Sequence, residues 1–193
     1  MNFIRHSNLE GTHAMFSPSQ PSWLRYDDDR ILEARENQNA AEIGTRLHAW
    51  AKSTIDLKLR QPRSKKTLCA YVNDAIGFGM STEVVLYYSP RIYGTADAIC
   101  FDENKKILRI HDLKTGRIPA HIEQLGVYAA LFCLEYRVKP ETIQTELRIY
   151  QNDDVLCWNP TPEEVSAIME QIVHVDEVLE KAEHMEGGYE FSA

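Results

Sequence analysis

Apolar residues recur along this chain at two spacings, and the switch between them lays out its elements. Ile43, Leu47, Ala51 and Ile55 stand four apart, which predicts a helix over 39–59, with Pro62 ending the region. A shorter helix is expected over 30–36. The carboxylates Asp27, Asp28 and Asp29 precede it. They are read as an N-cap and first turn rather than a metal cluster, because consecutive side chains diverge. Leu68, Tyr71, Val72 and Ala75 predict a helix over 65–80 that stops around Gly77 and Gly79. The pattern then becomes that of strands, over 83–88, 91–101 and 107–114. A strongly apolar helix is expected over 119–136, followed by a strand over 145–151. The turn Asn152-Asp153-Asp154 leads into a short partner strand over 155–158. Thr161-Pro162-Glu163-Glu164 is a capping box with proline at the first helical position. It opens a last amphipathic helix carrying Val165, Ile168, Ile172, Val175 and Leu179.

Strands 91–101 and 107–114 are separated by the polar stretch 102–106, which closes a hairpin. A crossover from this hairpin through helix 119–136 to strand 145–151 makes a parallel neighbour. The expected class is therefore α/β, with a mixed central sheet (antiparallel hairpin plus a parallel strand) flanked by helices on both faces. A length of 193 residues suits one domain with its own core. Residues 1–38 read as an N-terminal extension whose turn-rich 17–24 docks Trp23 and Leu24 on the body. Residues 39–151 form the core, and 152–193 the short strand and C-terminal helix.

Composition changes this picture little: 44% hydrophobic and 26% charged residues describe a folded globular protein. No apolar run approaches the roughly 20 residues a membrane span needs, and no signal-peptide core is present, so the cytoplasm is the expected compartment. Cys69, Cys100, Cys133 and Cys157 include no CxxC pair. Cys100 and Cys133 read as buried thiols, and the spacing offers no zinc or iron–sulfur site.

The chemistry is concentrated in the hairpin. Asp97, Asp112 and Lys114 sit inside two stretches that otherwise read as strands. If Asp102 pairs with Ile107, antiparallel register places Asp97 opposite Asp112. Lys114, two residues beyond Asp112, projects from the same face. Two carboxylates and an ammonium at one spot can hold a divalent cation, orient water and stabilise charge on a phosphodiester. Taken alone, Asp-x-Lys also fits a surface ion pair worth about 0–1 kcal/mol. Gln124 and Tyr128 share one face of the following helix at i and i+4. They suit contacts to a phosphate or base, and equally a core tyrosine with a hydrogen-bonded glutamine. His48 follows Gly44 by one helical turn, where a missing side chain permits close approach to the sheet. A lone helical histidine is more often simply packed.

Read in order, Gly44/His48, Gly94/Asp97, Asp112/Lys114 and Gln124/Tyr128 resemble the PD-(D/E)xK nuclease superfamily, in its RecB-like and phage exonuclease branch. The resemblance spans about 39–151 and implies a restriction-endonuclease-like core. The opening His13-Ala-Met-Phe-Ser-Pro-Ser and Trp23-Leu24 are also similar to the start of phage-encoded members. The resemblance implies that His48, Asp97, Asp112 and the Leu113 carbonyl hold Mg²⁺ or Mn²⁺, with Asp97, Asp112 and Lys114 catalytic. Gln124 and Tyr128 would hold DNA, and Glu83 is an outer-sphere candidate. The cysteines that bind an iron–sulfur cluster in several relatives are missing, and so is a helicase domain.

The implied activity is metal-dependent hydrolysis of DNA, by an exonuclease acting on ends in phage or host recombination and repair. The alternatives are a structure-specific endonuclease and a non-catalytic DNA-end or protein-binding module of the same fold. Partners on this reading are DNA and a recombination or single-strand annealing protein, with no membrane; the oligomeric state is open. The net charge of −8 favours the non-catalytic alternative, since nucleic-acid affinity comes mostly from Lys and Arg. Basic residues do cluster, however, at Lys58, Arg60, Arg63, Lys65 and Lys66.

Overall fold

Helix α1 (Asp28–Asp56) is one continuous helix where the pattern suggested two. Asn37, Gln38 and Asn39 include neither Gly nor Pro, so they cost the helix only a few tenths of a kcal/mol each. The Gln38 amide also reaches Glu42 one turn on, at 3.2 Å. As expected, the acidic run starts the helix: Asp27 Oδ1 accepts from the Arg30 amide at 2.9 Å. The far end stops short of residue 59 and of Pro62. Lys58 turns left-handed at φ 56°, and the Lys58 and Leu59 amides close on the Ile55 and Thr54 carbonyls.

A computed structural model describes residues 4–9, 11, 12, 14–116 and 118–187. His13, which carried part of the opening resemblance, lies outside the described residues. Contacts divide the chain into two units, Met1–Arg46 and Leu47–Ala193, with the division inside α1. In the first unit, 3-10 turns occupy Ser7–Leu9 and Pro21–Arg25. Trp23 donates from its indole to the Ser17 carbonyl at 2.9 Å and packs on Phe16. Leu24, expected to dock, is 70% exposed.

The second unit holds the sheet. Its elements are α2 (Thr67–Phe78), β1 (Ser81–Ser89), β2 (Ile92–Asp102), β3 (Ile107–Leu113), α3 (Glu123–Glu135), β4 (Gln144–Gln151), β5 (Asp154–Trp158) and α4 (Pro162–Gly187). The strands lie in the order β1-β2-β3-β4-β5. Only the β3–β4 pair is parallel, with α3 as its crossover. The architecture is thus α/β with a five-stranded mixed sheet flanked by helices. Helix α3 begins later than the pattern suggested, because residues before Glu123 are tied elsewhere: the Ala120 amide donates to Gln151 Oε1. Two predicted local signals hold. Asp102 Oδ1 accepts the amides of Asn104 and Lys105 in the hairpin turn. Thr161 and Glu164 cap α4 reciprocally, side chain to amide in both directions.

Each face of the sheet has its own core. On one face Leu86, Leu108, Ile110, Leu147 and Ile149 pack with α3 and α4. The fit there is close: a Cβ on Gly126 would stand 2.8 Å from the Trp158 ring. On the other face Ala98, Leu113 and Tyr150 pack with Ala51 and Ile55 of α1 and with Tyr71, Val72 and Ala75 of α2.

This second face buries a polar chain. The Tyr150 hydroxyl donates to Asp74 Oδ2 at 2.7 Å and lies 3.3 Å from His111 Nδ1. With its one proton committed to Asp74, the hydroxyl can only accept from His111, which fixes the Nδ1–H tautomer. His111 Nε2 then faces the core as a lone pair with no hydrogen-bond partner. Burial first, then the Arg148 and Arg109 charges, push the His111 pKa from 6.5 down to about 3. The folded protein therefore keeps His111 neutral where the unfolded chain protonates it, and stability falls as pH drops from 6.5 towards 3. Denaturant titrations at pH 7.5, 6 and 5 should give a parent that loses about 1.4 kcal/mol per pH unit more than His111→Asn below pH 6. Parallel pH profiles for the two proteins would contradict this assignment.

Candidate active site at the β2–β3 hairpin

The hairpin register brings the carboxylates together. Pairs run from Asp102↔Ile107 to Ala98↔His111, so the next step of the same register sets Asp97 opposite Asp112. From there a line of contacts crosses the sheet end, joined between Asp97 and Asp112 by the backbone register and the Leu113 amide. His48 Nδ1, on α1, lies 3.4 Å from Asp97 Oδ2. The same oxygen accepts the Leu113 amide at 3.0 Å. Lys114 Nζ donates to Asp112 Oδ1 at 3.1 Å and to Gln124 Oε1 at 3.2 Å. Gln124 Nε2 is 3.5 Å from the Tyr128 hydroxyl. Thus His48, Asp97, Asp112, Lys114, Gln124 and Tyr128, drawn from α1, the hairpin and α3, share one site. Leu113 touches it through its amide, while its side chain packs in the second core.

Electrostatics at this site are uneven. Burial, and then the neighbouring Asp112 charge, raise the Asp97 pKa; the Leu113 amide, His48 and Lys114 act in the opposite direction. Asp112 is 4% exposed. Its Oδ2 sits 3.0 Å from Lys114 Nζ but outside hydrogen-bonding geometry, and it is buried without a hydrogen bond. A buried carboxylate oxygen in that condition attracts a cation. Burial also pushes the Tyr71 phenol well above its ordinary range, with Asp97, Asp112 and Glu83 adding to the effect. Tyr71 thus lies beneath the acidic cluster. It was legible in the sequence only as an apolar-stripe position of α2.

Glu83 is placed by its neighbours: Thr82 pairs with Ala98 and Val84 with Ala96, which puts Glu83 across from Asp97. Its backbone is left-handed at φ 51°, unusual within a strand. The side chain is exposed. Beside it, Thr82 donates to Asp56 Oδ1 at 2.7 Å, and Lys52 Nζ reaches Asp56 Oδ2 at 2.6 Å. These bonds fix the end of α1 to β1, one turn and two turns beyond His48.

Gln151 is a second residue that spacing did not reveal. Its amide donates to the Gly116 and Ile118 carbonyls, both at 2.7 Å, while its carbonyl accepts from Ala120 at 3.0 Å. One side chain at the end of β4 thereby shapes the loop between Lys114 and Gln124.

Among the described residues, no three His, Cys, Asp or Glu side chains converge with the spacing of a ready metal cage. The donor set nevertheless suits a hard or borderline cation: an imidazole, two carboxylates, and one buried carboxylate oxygen without a hydrogen bond. No protein-family model and no curated protein matches this chain.

Gly94 serves this site by leaving room. A Cβ there would stand 2.9 Å from Tyr128 Cε1, so a methyl group must displace the phenol. Gly94→Ala should destabilise the fold by about 1–3 kcal/mol in denaturant titrations. In a Tyr128→Ala background the same substitution should cost less than about 0.5 kcal/mol. Equal costs in both backgrounds would mean the two residues are not coupled.

Proposed function

We propose that this chain is a metal-dependent deoxyribonuclease of the PD-(D/E)xK type, an exonuclease that hydrolyses phosphodiester bonds at DNA ends. The observation that carries this reading is the line of six side chains from His48 to Tyr128, with the unsatisfied Asp112 oxygen at its centre. His48, Asp97, Asp112 and the Leu113 carbonyl are the residues that would hold Mg²⁺ or Mn²⁺. Such an ion supplies Lewis acidity towards the phosphate and lowers the pKa of water.

The remaining work falls to the chain itself. Asp97 and Asp112 set a concentrated negative charge at the sheet end, which would attract such a cation. Lys114, fixed between Asp112 and Gln124, is a preorganised positive charge for the anionic transition state. Gln124 and Tyr128 present an amide and a phenol along α3, groups suited to a phosphate oxygen or a base edge. The Gln151-bound loop keeps Lys114 and Gln124 at a fixed separation, so binding does not require them to be ordered anew. Products on this reading carry 5′-phosphate and 3′-hydroxyl ends, and a recombination or single-strand annealing protein is the natural companion.

A non-catalytic DNA-end-binding module is the second reading. It is favoured by Lys114 standing directly on Asp112, with no assembled cage among the described residues. Incubation with linear, covalently closed circular and single-stranded DNA, with Mg²⁺ or Mn²⁺, separates the two. The parent should degrade linear DNA and spare closed circles, and Asp112→Asn and Lys114→Ala should each slow this about 100-fold or more. Thermal melts confirm that each variant is folded. Variants as active as the parent would end the catalytic reading, and cleavage of closed circles would replace the exonuclease with an endonuclease. Retention of DNA ends without hydrolysis would select the binding module.

A further inference from the structure

The segment between α1 and α2 concentrates positive charge in an acidic protein. Lys58, Arg60, Arg63, Lys65 and Lys66 fall within nine residues, and no Asp or Glu occurs between 57 and 73. Among the described residues, none of the five takes part in an ion pair. A basic run on a mobile loop is commonly just solvated. This one is held in place. The Gln61 amide donates to Asn73 Oδ1 at 2.8 Å, and Asn73 Nδ2 returns a bond to the Gln61 carbonyl at 3.0 Å. Gln61 Nε2 also donates to the Leu59 carbonyl. The two arginines flank the pinned residue.

Beneath them lies a cleft of about 740 Å³ between this loop and α2, with Arg60 and Arg63 on one side and Gly77 and Phe78 on the other. A Cβ on Gly77 would meet nothing within 4 Å, so the glycine leaves that wall open. Phe78 is 38% exposed. Its ring is held by the guanidinium groups of Arg109 and Arg148, whose carbons lie 4.4 and 5.4 Å from its centroid. Those two arginines are neutralised by Glu146 and Asp74. Arg60 and Arg63 are not, and they remain available to a ligand. Unpaired guanidinium groups over a cleft with a fixed, partly exposed aromatic ring match a phosphodiester strand whose bases can stack.

We propose that this cleft is a second nucleic-acid contact, which binds single-stranded DNA through phosphates at Arg60 and Arg63 and a base against Phe78. The choice of ligand rests on the nuclease reading above. Asp74 also lines the cleft, but its carboxylate is paired with Arg148, so the site would let an acidic protein hold a strand away from the Asp97 and Asp112 charges, where the potential repels phosphate.

Fluorescence anisotropy of a labelled oligothymidylate, with the full chain and no divalent metal, tests this without hydrolysis. Arg60→Gln/Arg63→Gln should weaken binding about tenfold or more. It should also lower the slope of log affinity against log salt by about 1.4, at about 0.7 per lost phosphate contact. Phe78→Leu, checked for folding by thermal melting, should weaken binding about fivefold or more with the slope unchanged. A parent that does not bind, or a double variant with the parent's affinity and slope, overturns the proposal. So does competition by thymidine monophosphate equal to that of the oligomer at matched phosphate concentration, which marks a mononucleotide pocket. Binding lost in the double variant while the hydrolysis test fails would keep this site and discard the nuclease. Hydrolysis with unaltered binding would do the reverse.

Discussion

Two carboxylates forced together at the end of two inner strands of a sheet are the constraint around which this structure is organised. Register alone sets Asp97 against Asp112, and burial makes their mutual repulsion expensive. Each neighbour relieves part of that cost. The Leu113 amide and His48 approach Asp97, and Lys114 approaches Asp112. Those neighbours arrive only because a helix precedes the sheet, a strand continues past its partner and a crossover helix returns beside it. The relief is incomplete, since one Asp112 oxygen still lacks a hydrogen bond. A buried carboxylate oxygen in this condition is a mark of a charged site rather than of ordinary core packing.

Much of this was readable from residues. The polar 102–106 turn marked the hairpin, and the register followed once Asp102 was taken to pair with Ile107, the pairing the structure has. The helix stop at Lys58 was not readable, because a lysine in the left-handed region has no compositional signature comparable to glycine's. The continuity of α1 was missed for a related reason: polar residues at 37–39 look like a break, yet their propensity costs are small. Gly94 was noticed as part of a motif, but its reason, the Tyr128 ring against its α-carbon, depends on a strand and helix far apart in sequence. Gln151 and Tyr71 lie at positions that periodicity assigns to a strand end and a core stripe. Their roles come from tertiary placement alone.

The two faces of the sheet divide the labour. One is an apolar core in which α3 and α4 pack tightly enough to need Gly126. The other mixes apolar packing with the Asp74–Tyr150–His111 chain and the Arg109, Glu146 and Arg148 cluster. Helix α2 links them to the site: Tyr71 lies beneath the carboxylates, Asp74 holds Tyr150, and Asn73 holds the basic segment. Changes along one helix therefore reach the charge cluster, the buried polar chain and the arginine cleft together.

The strap formed by Gln151 has a temporal meaning as well as a spatial one. Lys114 and Gln124 are synthesised early, but the side chain that shapes the loop between them belongs to the last residue of β4, and the Lys114 amide itself waits for the Tyr150 carbonyl. A nascent chain that has exposed the whole of α3 still lacks both. The site is assembled by its C-terminal neighbour, so partially made or prematurely truncated chains carry all six of its side chains without their arrangement.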